Sequence, residues 1–208
     1  MAHTLPDRMN ATKRSPAPYA VIGILAAFLL AVVVLVAAEN DPSWVLGEST
    51  IADLGASDVE LTADLFKYGS IVAGILLFVF GVGKAYTEND CSRASGVMIA
   101  LAGIFLILLG YYTSDVGNGN VNETYTWLFF VFLALAAILS VFGDWSEGKR
   151  INSVIAAILI IVVIGAAVGK PVGYIEVTAI ACCVLWLFSE SAKMVVNVKA
   201  AGSNAVGA

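Results

Sequence analysis

Three carboxylates and one amine carry most of the chemistry this sequence could do: Asp53, Asp115, Glu176 and Lys67. Each lies at the edge of a long apolar run or in the connection beside it. Carboxylates converging there could do acid–base work or bind a divalent cation through oxygen ligands. Their spacing is not diagnostic of either, so catalytic and metal-ligating residues are expected to be absent and no cofactor is implied. Asp53 belongs to "STIADLGASDVELTADLFKYG", residues 49–69, a stretch rich in acids with no base before Lys67. Glu176 falls just inside the last apolar run. An ionisable group at membrane depth is costly and usually faces the bundle interior or water.

Part of that acidic stretch has a local explanation. Ser57-Asp58-Val59-Glu60 fits a capping box, with Ser57 as N-cap and Glu60 at the third helical position. A helix is therefore expected to begin near Asp58, its acids favoured by the positive end of the dipole. Asp64 and Lys67 would then pair at i, i+3. Asp53 has no such explanation.

Other chemistry is disfavoured. The single histidine, His3, lies in the leading tail, and no P-loop, GxSxG, HExxH or GxGxxG motif is present. Serines beside the spans (Ser70, Ser140, Ser153, Ser189) have no histidine base, and a Ser–Lys dyad needs a lysine at membrane depth, where none is expected. Cys91, Cys182 and Cys183 form no CxxC pair and read as small packing residues. Asn122-Glu123-Thr124 is a glycosylation sequon, which singles out Asn122. The formal charge of −5 argues against a nucleic-acid partner.

The elements that must position these residues are membrane spans. Of the 208 residues, 60% are hydrophobic and 13% charged, and the mean hydropathy is +0.90. Soluble domains carry about 25% charged residues. The apolar residues gather into six runs near 19–38, 65–86, 95–112, 125–143, 151–168 and 172–190, each about the length that crosses the hydrocarbon core. The expected fold is an all-α, six-helix membrane bundle over 19–195, with an N-terminal tail at 1–18 and a flexible tail at 196–208. The first run is too long, and starts too late, for a cleaved signal peptide.

Lys and Arg in short loops orient the chain. Arg8, Lys13, Arg14, Lys84, Arg93, Lys149, Arg150, Lys193 and Lys199 fall on the side of the N-terminus, against Lys67 and Lys170 on the other. Both termini are thus expected in the cytoplasm, with the protein in the cell membrane. The opposite side collects Glu39, Asp41, Glu48, Asp53, Asp58, Glu60, Asp64, Asp115, Glu123 and Glu176, which makes an acidic outer face. Tyr and Trp near the ends of the runs form the interfacial belts.

Glycine spacing predicts how the helices touch. Gly74 and Gly81 in the second run, and Gly96, Gly103 and Gly110 in the third, recur at seven residues and allow close backbone approach. These two runs are expected to pack through them. Gly165 and Gly169 form a GxxxG near the end of the fifth run, expected to pack within the chain by default, with a dimer interface as the alternative.

Three stretches together resemble one family. "TIADLGAS" is similar to the signature following helix 1 in the prokaryotic membrane family catalogued as domain of unknown function 998. "YYTSDVGNGNVNETYTWLFF" looks like that family's turn after helix 3, and "VGYIEVTAIACCVLW" like its last helix. The resemblance covers about residues 20–190. It implies the six-span fold, no known activity, and an outer face carrying Asp53, Gly55, Asp115 and Glu176. The family's histidine before helix 4 is replaced here by Glu123, Thr124 and Tyr125, and its arginine in the last helix by Val177. Sites built on those residues do not carry over. The resulting expectation is a non-enzymatic scaffold or partner subunit, or a binder of a small ligand or lipid at the outer face. The alternatives are a transporter or channel component and a membrane enzyme acting on a lipid or isoprenoid through outer-face carboxylates. The expected partners are the bilayer and either a membrane protein or a second copy.

Overall fold

The computed structural model describes residues 15–112 and 120–206; the side chains of 120 and 197–206 are outside it. Seven helices occur among the described residues: α1 Ala17–Asn40, α2 Ile51–Leu54, α3 Glu60–Thr87, α4 Asp90–Tyr111, α5 Asn120–Ser146, α6 Arg150–Ala167 and α7 Val172–Val206. Six are long and apolar enough to cross a membrane; α2 is a single turn. Helices suit this setting because every internal backbone group is paired within its own segment.

The long helices form a cycle. α1 packs on α3, α3 on α4, α4 on α5, α5 on α6, α6 on α7, and α7 returns to α1. The tight connections set most of this order. Between α3 and α4 the turn passes through Asp90 in the left-handed region (φ 47°), which Asp tolerates better than most side chains. Between α5 and α6, Gly148 takes φ 77°. α2 sits at the end of the cycle opposite the start of α1, burying Ile51 and Leu54.

The glycine stripes lie at the α3–α4 contact. A Cβ on Gly74 would stand 2.7 Å from the Gly103 carbonyl oxygen, and one on Gly103 would stand 2.6 Å from the Phe78 nitrogen. Gly81 and Gly96 face each other's backbones in the same way, and Gly110 faces the Lys67 carbonyl. Gly165 and Gly169 behave otherwise. Nothing lies within 4 Å of a Cβ at either, so the expected intrachain packing does not occur. Gly169 instead takes φ 73°, in the turn that ends α6 before Pro171.

One boundary expectation is corrected, and one helix runs further than its apolar run. α3 has no capping box at Ser57: its N-cap is Val59, and Ser57 Oγ accepts only the Val59 N–H, at 3.1 Å. The segment from Ser57 is held instead as a loop, so Asp58 lies before the helix. The tail expected to be flexible from residue 196 continues α7 to Val206. Ala200 and Ala201 favour propagation there, and the one interior glycine, Gly202, costs only about 1 kcal/mol.

Candidate functional site

At the α2 end, the residue left unexplained by sequence has a local role. Thr50 caps α2: its Oγ1 accepts the Asp53 N–H at 3.3 Å, and Asp53 Oδ2 accepts the Thr50 N–H at 2.6 Å. This is a reciprocal capping box built on Thr-x-x-Asp, one helix earlier than the Ser57 box expected. Asp53 is exposed, and its carboxylate closes its own helix cap.

α2 is then fixed to the bundle by Glu176. Its Oε2 accepts the Ile51 N–H at 2.7 Å, joining the start of α7 to the start of α2. Glu176 is 9% exposed. Asp53 and Glu123 lie close enough to repel its charge. Gly173 brings α7 against the Ser49 carbonyl, where any side chain would collide.

Lys67 forms no ion pair with Glu176 or Asp53 among the described residues. Lys67 lies over the Tyr68 ring, 5.7 Å from its centroid. Asp115 falls outside the described residues. Asn122 is only 6% exposed within α5. Before α2, Asp41 accepts the Ser43 hydroxyl at 2.6 Å and the Ser43 N–H at 2.9 Å. The Ser43 hydroxyl, then Ser57, hold the Asp41 carboxyl below its ordinary value.

Below Glu176 lies a cavity of about 430 Å³ between α5, α6 and α7. Its walls are apolar, with Phe130 and Ala137 from α5, Leu159 and Val163 from α6, and Ala179 and Cys183 from α7. Glu176 stands near one end and Trp186 ten residues further along α7, a separation of roughly 15 Å at the helical rise. The cavity exists because α5 and α7 scarcely touch along this length and α6 spans the gap between them. Its volume lies within the range of ligand pockets, roughly 300–1,000 Å³.

The opposite end of the bundle holds a cluster of buried charges, including Lys84 and Lys193, two of the bases that the orientation rule counts with the short loops. Lys84 and Glu190 form a buried ion pair, at 0% and 1% exposure. Glu190 Oε1 also accepts the Ser140 hydroxyl at 2.5 Å. Lys193 Nζ donates to Asp144 Oδ1 at 2.6 Å and lies 2.9 Å from Glu190 Oε2. Glu88 Oε2 stands 3.2 Å from Lys84 Nζ. Lys84 and Lys193 are therefore buried among the helices rather than free in the loops. No serine hydroxyl bonds either lysine among the described residues, so the arrangement is not a Ser–Lys dyad. The network ties α3, α5 and α7 together through one carboxylate.

A sequence signal for it exists. Glu176, Cys183 and Glu190 recur at seven residues, and Lys193 follows at i+3, all on one face of α7. Ending the last span at residue 190 hid that continuation.

Fold and site together define a six-span integral membrane protein with an apolar cavity and buried charges toward the two ends of its last span. The chain belongs to the family described as protein of unknown function, DUF998, whose model matches residues 24–191. No curated protein and no solved structure matches it.

Proposed function

We propose that the protein is a non-enzymatic membrane component that binds a lipid chain in the cavity between α5, α6 and α7. The observation carrying this is the size and lining of that space. The space measures about 430 Å³, and the exposed side chains of Trp127, Val131 and Ile164 at its margin open it toward the surrounding bilayer. Its lining is apolar but for Glu176, which suits a hydrocarbon occupant over water. A hydrocarbon chain fits the lining, and Glu176 meets its polar end.

The basic residues of the short loops support placing both termini in the cytoplasm and the α2 end outside, in the cell membrane. The acids gathered toward the α2 end then form an acidic outer face. A second role, as partner subunit, is favoured by α6, whose side chains Ile151, Ile161 and Ile164 face outward.

Native mass spectrometry of protein released from mild detergent tests both. Retention of one lipid per chain, lost in Ala137→Phe, supports chain binding. A protein free of lipid, with a melting temperature that Ala137→Phe raises, contradicts it. A stoichiometric second protein would favour the subunit role.

A further inference from the structure

We propose that the cavity selects a lipid whose head group donates hydrogen bonds and carries no negative charge, as a long-chain alcohol or amine does. This rests on the reading that the cavity holds a lipid chain. The selectivity comes from Glu176. Its carboxylate lines the α2 end of an otherwise apolar space. Oε2 is engaged by the Ile51 N–H, and Oε1 is the oxygen that Ile51 does not engage. The side chain is held there, nine-tenths buried, by a contact that also fixes α2.

Its electrostatic surroundings are one-sided. Asp53 and Glu123 both act on Glu176 with like charge. The two bases at this end are turned elsewhere: Lys67 over the Tyr68 ring and Lys170 over the Tyr174 ring, 5.4 Å from its centroid. No cation therefore compensates Glu176 among the described residues. A phosphate, sulfonate or carboxylate head would meet the buried Glu176 carboxylate, with the like charge of Asp53 and Glu123 nearby. A hydroxyl or ammonium would donate to Glu176 instead, and such charge-assisted bonds are the stronger class. At separations of a few ångströms and low effective dielectric, like charge is a large penalty.

The test is competition binding in nanodiscs with three probes of matched alkyl chain: a primary amine, an alcohol and a sulfonate. Displacement of a brominated acyl chain is read through tryptophan fluorescence, since Trp127 and Trp186 line the space. The expected order is amine, then alcohol, then sulfonate, the last at least about tenfold weaker than the amine. In Glu176→Gln, which keeps an acceptor for Ile51, the amine-to-sulfonate ratio should fall several-fold. Equal binding of all three heads, still abolished by Ala137→Phe, would overturn the head-group selectivity while leaving the lipid cavity standing. Binding of none of them, with no quenching by the brominated chain, would overturn both.

Discussion

The carboxylate of Glu176 accepts the backbone N–H of Ile51 at 2.7 Å, so the last span holds down the single-turn helix at the end of the bundle. An N–H at the start of a helix has no intrahelical partner. Replacing Glu176 with Ala leaves Ile51 N–H buried and unpaired, at a cost of about 1–3 kcal/mol. Glu176→Gln keeps an acceptor and should cost less. Thermal melts in one detergent check the order wild type, Gln, Ala; equal melting of the two variants would contradict it.

Glu190 lies between Lys84 and Lys193, and its loss leaves both ammoniums buried. Breaking such a pair from one side costs about 3–5 kcal/mol, whereas apolar replacement of both partners is often tolerated. Glu190→Ala should therefore be poorly folded. Lys84→Met with Glu190→Leu should recover part of the loss, although Lys193 still keeps Asp144. Yields of monodisperse protein and melting temperatures measure this.

The glycines separate into two kinds. A Cβ at Gly81 collides with the Ala100 nitrogen and the Gly96 oxygen, which are backbone atoms that cannot rotate away. Gly81→Ala should destabilise by about 1–3 kcal/mol. Gly165 meets nothing within 4 Å, and Gly165→Ala should be neutral or stabilising by up to about 1 kcal/mol. A Gly165→Ala variant that melts lower would reveal a partner helix on that face.

Asp41 supplies a pH dependence. The hydroxyls of Ser43 and Ser57 hold its carboxyl below the ordinary value. Its contribution to stability is thus full above the unfolded-state value near 3.9 and is lost as pH falls through the lower folded value. The melting difference between wild type and Asp41→Asn should be largest at neutral pH and shrink below about pH 4. A difference that grows on acidification contradicts the assignment.

Orientation has a native reporter. Cys91 is partly exposed at the turn between α3 and α4, while Cys182 and Cys183 are buried. With both termini in the cytoplasm, a membrane-impermeant maleimide should label Cys91 only after permeabilisation. Labelling in intact cells would invert the topology.

The spans were legible because their residues are apolar all round for the length a membrane requires, a signal that needs no tertiary information. The approach of α3 to α4 was legible too, since the seven-residue glycine spacing has few uses besides backbone contact. Asp53 was not: a Thr-x-x-Asp cap serving a helix of four residues leaves no periodicity around it. The Lys84–Glu190 pair was hidden for a different reason. Each residue sits near the end of an apolar run, where charge ordinarily marks exit to water. Only the three-dimensional cycle, which brings α3 and α7 side by side with α1, shows that both remain inside. The cavity was invisible because it is a property of what α5 and α7 fail to touch.

Photo-cross-linking with a lipid carrying a diazirine in its acyl chain addresses the central claim most directly. Peptide mapping should place the adducts on cavity residues of α5, α6 and α7, such as Ala134, Ala137 and Ala179, and Ala137→Phe should remove them. Adducts spread evenly over the outward faces of α1 and α3, at Phe28, Leu35 and Val72, with none in the cavity, would contradict lipid binding there.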